Sequence, residues 1–184
     1  IKRGGQPIFD FVGKSHVKHR KVLVDEELAA LMKDLKQLGA ARKLFHYVDD
    51  AGKPRPIKPS DINSYIKQAT DPEFSAKDFR TWGGTLLASM ELAELGKAAD
   101  EREMRKNIVH AIKCVAEQLG NTPTVCRASY IHPTVISAYE AGVTIDEFRP
   151  RTTRRIRRVE GDYDPEEKAL LRLLKNGAKS PAKV

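Results

Sequence analysis

Residues 100–133 read "DEREMRKNIVHAIKCVAEQLGNTPTVCRASYIHP", and this stretch decides which fold the chain can adopt. Its first part is acidic at the start and repeats apolar side chains at helical spacing as far as Gly120, which predicts one amphipathic helix. Pro123 and Pro133 each stand where the first turn of a further helix would begin. The stretch therefore predicts three successive helices with tight junctions, as is typical of a mainly helical protein.

The amino-terminal segment has a different character, because it is rich in β-forming residues. Apolar runs on both sides of Gly13-Lys14-Ser15 predict one antiparallel hairpin. Residues 44–59 are expected to form a loop with a short extended piece. Periodicity and capping residues predict further helices at 25–39, 60–70, 75–96 and 164–176. We therefore predict an α+β fold that is mainly α, with a small β-hairpin or sheet and no internal repeat.

The charge balance points to a polyanionic partner. The chain of 184 residues carries 33 Lys and Arg against 25 Asp and Glu, a net charge of +8. Apolar runs are too short to span a bilayer. The cysteines, Cys114 and Cys126, form one isolated pair, which favours reduced thiols and a cytoplasmic protein. Because the first residue is not Met and the chain opens within a strand-like run, we expect the amino-terminal part to be missing.

Two basic segments favour nucleic acid as that partner. Residues 149–158 contain six Arg, and the hairpin carries Lys14, Lys18, His19, Arg20 and Lys21. A solvated charged linker is the alternative for the first segment. Two separate basic sites are more typical of binding to phosphates than of chance solvation.

Several single residues allow both a structural and a functional interpretation. Arg80 could lie over a neighbouring aromatic ring, Phe79 or Trp82, or could bind a phosphate with its fork of donors. Asn121 could cap the next helix or donate a hydrogen bond to a phosphate oxygen. Tyr130 alone could be a core or rim residue.

Other patterns limit the chemistry. The Gly83-Gly84 pair within a predicted helix indicates close approach of another backbone. The five histidines show no spacing that gathers metal ligands, and no glycine-rich phosphate loop or His-Glu-x-x-His pattern is present. Acidic residues are scattered. Zinc hydrolysis, ATP use and metal-dependent nuclease chemistry therefore have no support in the sequence.

Three short motifs, "FDFVGKSHV", "KDFRTWGGT" and "LGNTPTVCRASYIHP", follow one another in this order. As a set they resemble the catalytic domain of type IB DNA topoisomerases, in particular the poxvirus-like bacterial branch. The resemblance covers about residues 5–150, and it implies a catalytic domain over 1–150 that is followed by a basic segment, a final helix and a loose tail over 151–184.

The resemblance implies a role for each of four catalytic residues. Tyr130 would be the nucleophile, Arg80 would stabilise charge on the phosphorus, and Lys14 would act as the general acid. Asn121 stands where many members carry His, which excludes proton transfer there but keeps a hydrogen bond to a non-bridging oxygen. A further family arginine is expected upstream of the hairpin. Phosphate contacts are expected from Lys14, Lys18, Arg20, Arg127, Arg151, Arg154 and Arg155.

The implied activity is relaxation of double-stranded DNA by a monomer, through a 3′-phosphotyrosyl intermediate, with no cofactor, ATP or obligatory metal. A tyrosine hydroxyl has a pKa near 10 and needs neighbouring positive charge to react at neutral pH, which agrees with this set of residues. Two alternatives stay open. A tyrosine recombinase shares the chemistry, although "NTPTVCRASY" lacks its His-x-x-Arg box, and a non-catalytic DNA-binding module would need only the basic charge.

Overall fold

The structure is a computed structural model that describes residues 7–13, 16, 18–22, 25–37, 44–149 and 164–177. The described residues divide into two compact units, one up to Ala76 and one from Lys77 onward. No helix within the described ranges combines the length and the apolar character that crossing a bilayer requires.

The first unit begins with the predicted hairpin. Strand β1, Ile8–Val12, pairs antiparallel with β2, Lys18–Val22, and Val12 lies opposite Lys18. Helix α1, Glu26–Gln37, starts after Asp25, whose carboxylate accepts the Leu28 N–H at 2.9 Å. The hairpin prediction is confirmed, although Lys14 and Ser15 of its turn lie outside the described residues.

A second hairpin replaces the loop that was predicted for residues 44–59. Strand β3, His46–Val48, pairs antiparallel with β4, Pro54–Pro56, ahead of helix α2, Pro59–Ala69. Asp49 organises the turn by accepting the Lys53 N–H at 2.8 Å. Three-residue strands are too short to show an alternating pattern, and Pro at both ends of β4 argues against a strand. The mainly α fold class with a small β part is confirmed.

The second unit is helical. Helices α3, Ala76–Leu95, and α4, Glu101–Leu119, are the long ones. They are followed by α5, Pro123–Ser129, α6, Pro133–Glu140, a 3₁₀ helix, Ile145–Phe148, and α7, Pro165–Gly177. The two junctions predicted between α4, α5 and α6 are confirmed. Gly120 ends α4 in the left-handed conformation at φ 65°, and Pro123 and Pro133 open the next two helices.

One apolar cluster holds these helices together. Its largest fully buried side chains are those of Val115, Cys126, Ile145 and Leu170, which come from α4, α5, the 3₁₀ helix and α7. Burying each large side chain contributes about 1.5–3 kcal/mol. Helix α7 is therefore part of the same core as the helices of residues 77–149.

Gly84 allows α3 to approach the chain at Tyr130. A Cβ placed on Gly84 would lie 2.5 Å from the Tyr130 carbonyl oxygen and 3.3 Å from Tyr130 Cβ, whereas one on Gly83 would meet nothing within 4 Å. The predicted close approach of another backbone is therefore confirmed for Gly84 alone. Gly84 is buried, so its neighbours have little room to move away.

We expect opposite effects from adding one methyl group at these two neighbouring positions. Gly84→Ala should lower the free energy of unfolding by about 1–3 kcal/mol, because the new methyl overlaps the Tyr130 backbone. Gly83→Ala should raise it by up to about 1 kcal/mol, because alanine is the better helix former. Urea unfolding of both variants measures the difference, and equal stabilities would contradict the close contact.

Candidate active site

The carbonyl of Leu119 brings two of the predicted site residues together. Leu119 is the last residue of α4, and the final carbonyls of a helix have no intrahelical partner and carry partial negative charge. Arg80 Nη2 on α3 donates a hydrogen bond to this oxygen, and Asn121 Nδ2 donates to it at 3.3 Å. Two residues that are 41 positions apart in the sequence (121 − 80) therefore meet at one backbone atom.

The guanidinium of Arg80 also lies over the ring of Tyr130. Its central carbon is 5.1 Å from the ring centroid, within the range of a cation–π interaction. The structural interpretation of Arg80 as packing over an aromatic ring is therefore correct. The ring is that of Tyr130, however, since Phe79 is exposed and Trp82 donates to Glu167 at 3.0 Å.

One donor of Arg80 is left unused. Its Nε atom is buried and has no hydrogen-bond partner among the described residues. Leaving such a donor unsatisfied costs about 1–3 kcal/mol, and more for a charged group. A guanidinium carries five N–H donors, and only one hydrogen bond, to Leu119, is observed for Arg80, so the group keeps donors that could bind an anion.

Helix α3 also fixes the main chain around Tyr130. The Thr85 hydroxyl accepts the His132 N–H at 3.1 Å and lies 3.4 Å from the Tyr130 carbonyl oxygen. One turn earlier, the Thr81 hydroxyl donates to the Ser129 carbonyl at 3.3 Å. The helix that carries Arg80 therefore also holds the peptide units on both sides of Tyr130.

Tyr130 is the better nucleophile candidate than the nearby thiol of Cys126. Cys126 is fully buried, and this burial raises the pKa of its thiol, while the positive charge of Arg80 acts in the opposite direction with a smaller effect. A buried thiol with a raised pKa stays protonated at neutral pH and is unreactive. Tyr130 is half-buried at the end of α5, where its N–H donates to the Cys126 carbonyl at 2.9 Å.

The interpretation of Asn121 as the cap of the next helix is wrong. Thr122 is the N-cap of α5, because its hydroxyl accepts the Val125 N–H at 3.3 Å. The backbone N–H of Asn121 donates to the Ala116 carbonyl at 3.0 Å and completes the end of α4. The side-chain amide therefore does not cap α5 and lies beside the Leu119 carbonyl at the end of α4.

The remaining predicted residues are distributed between exposed positions and the undescribed parts of the chain. Lys18 and Arg20 are exposed on β2, where Arg20 pairs with Asp10 at 3.5 Å. Arg127 is exposed on α5 and, with Lys113, borders an open and largely apolar groove between α4 and α5. The other predicted basic residues lie outside the described residues, namely Lys14, Arg151, Arg154 and Arg155.

Sequence reasoning missed the contribution of Leu119, Thr81 and Thr85. A backbone carbonyl leaves no mark in the residue type, and threonine on a helix is too common to single out. The signal that was available is the Gly83-Gly84 pair, which marks the face of α3 that these threonines share.

Comparisons with known proteins identify the family of the chain. The family model "Eukaryotic DNA topoisomerase I, catalytic core" matches residues 1–155, a range that contains Arg80, Asn121 and Tyr130. A curated relative, "DNA topoisomerase 1B" of Acanthamoeba polyphaga mimivirus, is 30% identical over 138 residues, which are 71% of this chain and 41% of the relative. The chain therefore spans about two fifths of the length of that relative. Since the family model covers most of the chain, the protein belongs to the DNA topoisomerase I catalytic-core family.

Proposed function

We propose that the protein is a type IB DNA topoisomerase that relaxes supercoiled DNA by cutting one strand transiently through a 3′-phosphotyrosyl bond at Tyr130. The observation that carries the proposal is the placement of the Arg80 guanidinium. It lies over the Tyr130 ring, is fixed by the Leu119 carbonyl and retains a buried free donor. Family membership supports the same activity.

Arg80 would assist the reaction in two ways. Its positive charge would stabilise the negative charge that the Tyr130 oxygen carries as it attacks the phosphorus. Its guanidinium would also donate a hydrogen bond to a non-bridging phosphate oxygen, where negative charge grows in the transition state. Both effects need a guanidinium that does not move, and the Leu119 carbonyl provides that restraint.

The proposed step is a reversible transesterification. The Tyr130 hydroxyl releases its proton to solvent, its oxygen forms a bond to the phosphorus of the cut strand as the bond to the 5′-oxygen breaks, and the departing oxygen takes a proton from Lys14. The number of phosphoester bonds is unchanged, so ATP is not needed, and attack by the 5′-hydroxyl restores the strand. The role of Lys14 follows from the resemblance, because Lys14 lies outside the described residues.

Asn121 would give the phosphate a neutral hydrogen-bond donor. Its amide already faces the oxygen that anchors Arg80, so both side chains would serve the same phosphate. A side-chain amide is neither an acid nor a base at neutral pH, so this position would stabilise charge by hydrogen bonding and would not take part in acid–base catalysis. Asparagine at this position also supports the narrower assignment to the poxvirus-like bacterial branch.

Exposed basic residues would hold the duplex through its phosphates. Lys18, Arg20 and Arg127 are exposed, and the ion pair of Arg20 with Asp10 is solvent-exposed and contributes little that would compete with DNA. Such contacts position DNA without identifying its sequence. We include in the proposal the other predicted DNA contacts, which are Lys14, Arg151, Arg154 and Arg155.

The proposal also includes the finer expectations about the whole protein. These are a catalytic region over residues 1–150, a monomer, a cytoplasmic location at the nucleoid, and activity without obligatory metal. Relaxation of a plasmid that carries no recombination site separates this function from that of a tyrosine recombinase. Formation of a covalent protein–DNA adduct separates it from a non-catalytic DNA-binding module.

Loss of the Tyr130 hydroxyl should abolish strand cleavage in the full-length protein. We expect Tyr130→Phe to reduce covalent adduct on a suicide substrate by at least about 10³-fold, because no other group replaces a covalent nucleophile. Tyr65→Phe is the matched control, since Tyr65 is 72% exposed on α2. Peptide mapping of the adduct should find DNA on Tyr130, and DNA on another residue would refute the assignment.

Replacing the fork of Arg80 with a point charge should slow cleavage strongly. We expect Arg80→Lys to lower the single-turnover cleavage rate about 10²- to 10³-fold, because lysine cannot contact Leu119 and a phosphate oxygen together. Arg105→Lys, on the exposed face of α4, should leave the rate unchanged. A rate for Arg80→Lys within about twofold of the parent would show that the fork of donors is not used.

Substitutions at Asn121 and at its neighbour Thr122 should have different effects, the first on the cleavage rate and the second on stability. Asn121→Ala should lower the cleavage rate about 10-fold or more with little change in stability, whereas Asn121→His should retain activity because it restores an N–H donor. Thr122→Ala should cost about 1 kcal/mol of stability and leave the rate unchanged. Thermal unfolding and single-turnover cleavage measure the two effects, and a stability loss confined to Asn121→Ala would reverse the assignment.

A further inference from the structure

A second cluster of chemically active side chains lies between α3 and α4. Glu91 comes from α3, and His110 and Cys114 come from one face of α4, four residues apart. The Nε2 atom of His110 is 3.5 Å from the Sγ atom of Cys114. One ligand atom from each of the three side chains lies within 4.8 Å of the other two.

The distance between the nitrogen and the sulfur fits a tetrahedral metal. Zinc bonds of about 2.3 Å to sulfur and about 2.05 Å to nitrogen, at a tetrahedral angle, place those two ligand atoms about 3.5–3.6 Å apart. The observed 3.5 Å therefore needs no rearrangement within α4. One oxygen of the Glu91 carboxylate lies within 4.8 Å of the other two ligand atoms, and rotation of this side chain would bring it to bonding distance of the same ion.

We propose that Glu91, His110 and Cys114 bind a Zn²⁺ ion, with water in the fourth position. The set combines one sulfur, one nitrogen and one carboxylate oxygen, which suits zinc, whereas Mg²⁺ and Ca²⁺ prefer oxygen alone. The thiol proton would pass to solvent as the zinc–sulfur bond forms. Glu91 and Cys114 are half-buried and His110 is exposed, so an ion could enter from solvent.

This site would be separate from the candidate active site. Glu91 follows Arg80 by 11 residues on α3 (91 − 80), which corresponds to about 16 Å along the helix axis. The ion would join α3 to α4, the helices that carry Arg80 and the Leu119 carbonyl. We therefore assign it a stabilising role, which is compatible with strand cleavage that needs no metal and does not depend on the proposed function.

The proposed site would go beyond the sequence prediction, in which no spacing of the five histidines gathers metal ligands. His110 and Cys114 alone give two ligands four residues apart, and two ligands do not define a metal site. The third ligand, Glu91, comes from another helix 19 residues earlier (110 − 91), so only the folded chain brings the set together.

Zinc binding can be tested on the intact protein, with any affinity tag removed, through the two cysteines. Zn²⁺ should slow alkylation of Cys114 by at least about 10-fold, since a metal-bound thiolate is shielded, and EDTA should reverse the effect. Cys126 is 0% exposed and serves as an internal control with or without metal. Peptide mass spectrometry reads each cysteine separately.

Binding of Zn²⁺, measured by calorimetry, should depend on all three ligands. We expect Glu91→Gln, His110→Gln and Cys114→Ser each to weaken the zinc Kd by about 10-fold or more, at least as much as loss of an outer-shell partner does at other zinc sites. Glu94→Gln, at an exposed position on the same helix, should leave the Kd unchanged. Absence of protection at Cys114, or equal zinc affinity in parent and ligand variants, would overturn the proposal. Circular dichroism of each variant excludes loss of folding as the cause.

Discussion

The arrangement of the candidate active site depends on one backbone oxygen, the carbonyl of Leu119. Gly120 stops α4 in a left-handed turn, so this carbonyl is left without a helical partner at the negative end of the helix. Arg80 and Asn121 both bond to it, and the bond to Arg80 fixes the guanidinium above the Tyr130 ring. A helix terminus thus sets the position of the charged group on which the proposed chemistry relies.

Local signals in the sequence were sufficient to predict where the helices begin and end. They were insufficient to predict the short strands β3 and β4. Gly120, Pro123 and Pro133 each restrict their own backbone, so their positions predicted where helices end and begin. The strands β3 and β4 have three residues each and depend on turn hydrogen bonds of Asp49. A strand that is stabilised by its turn and not by its own side-chain pattern leaves little trace in the sequence.

The candidate site divides in a similar way. Motif order identified Tyr130, Arg80 and Asn121, and the structure brings these three close together. The immediate partners of these residues could not be predicted, because a backbone carbonyl has no residue signature. Capping differs, because Pro123 at the first helical position favours Thr122, the residue before it, as the N-cap over Asn121.

The close contact between Gly84 and Tyr130 has a mechanical consequence. A strand joined to the Tyr130 oxygen and turning under torsion would pull on the Tyr130 peptide unit. That unit abuts α3 at Gly84 and lies within 3.4 Å of the Thr85 hydroxyl, so the force would enter a helix of 20 residues directly. The Tyr130 N–H also donates to the Cys126 carbonyl of the short helix α5, so this helix of 7 residues would share the force. The close contact at Gly84 would thereby allow the bond between Tyr130 and the DNA to bear torque. The distance between the phosphate and Arg80, which is on the same helix, would stay constant.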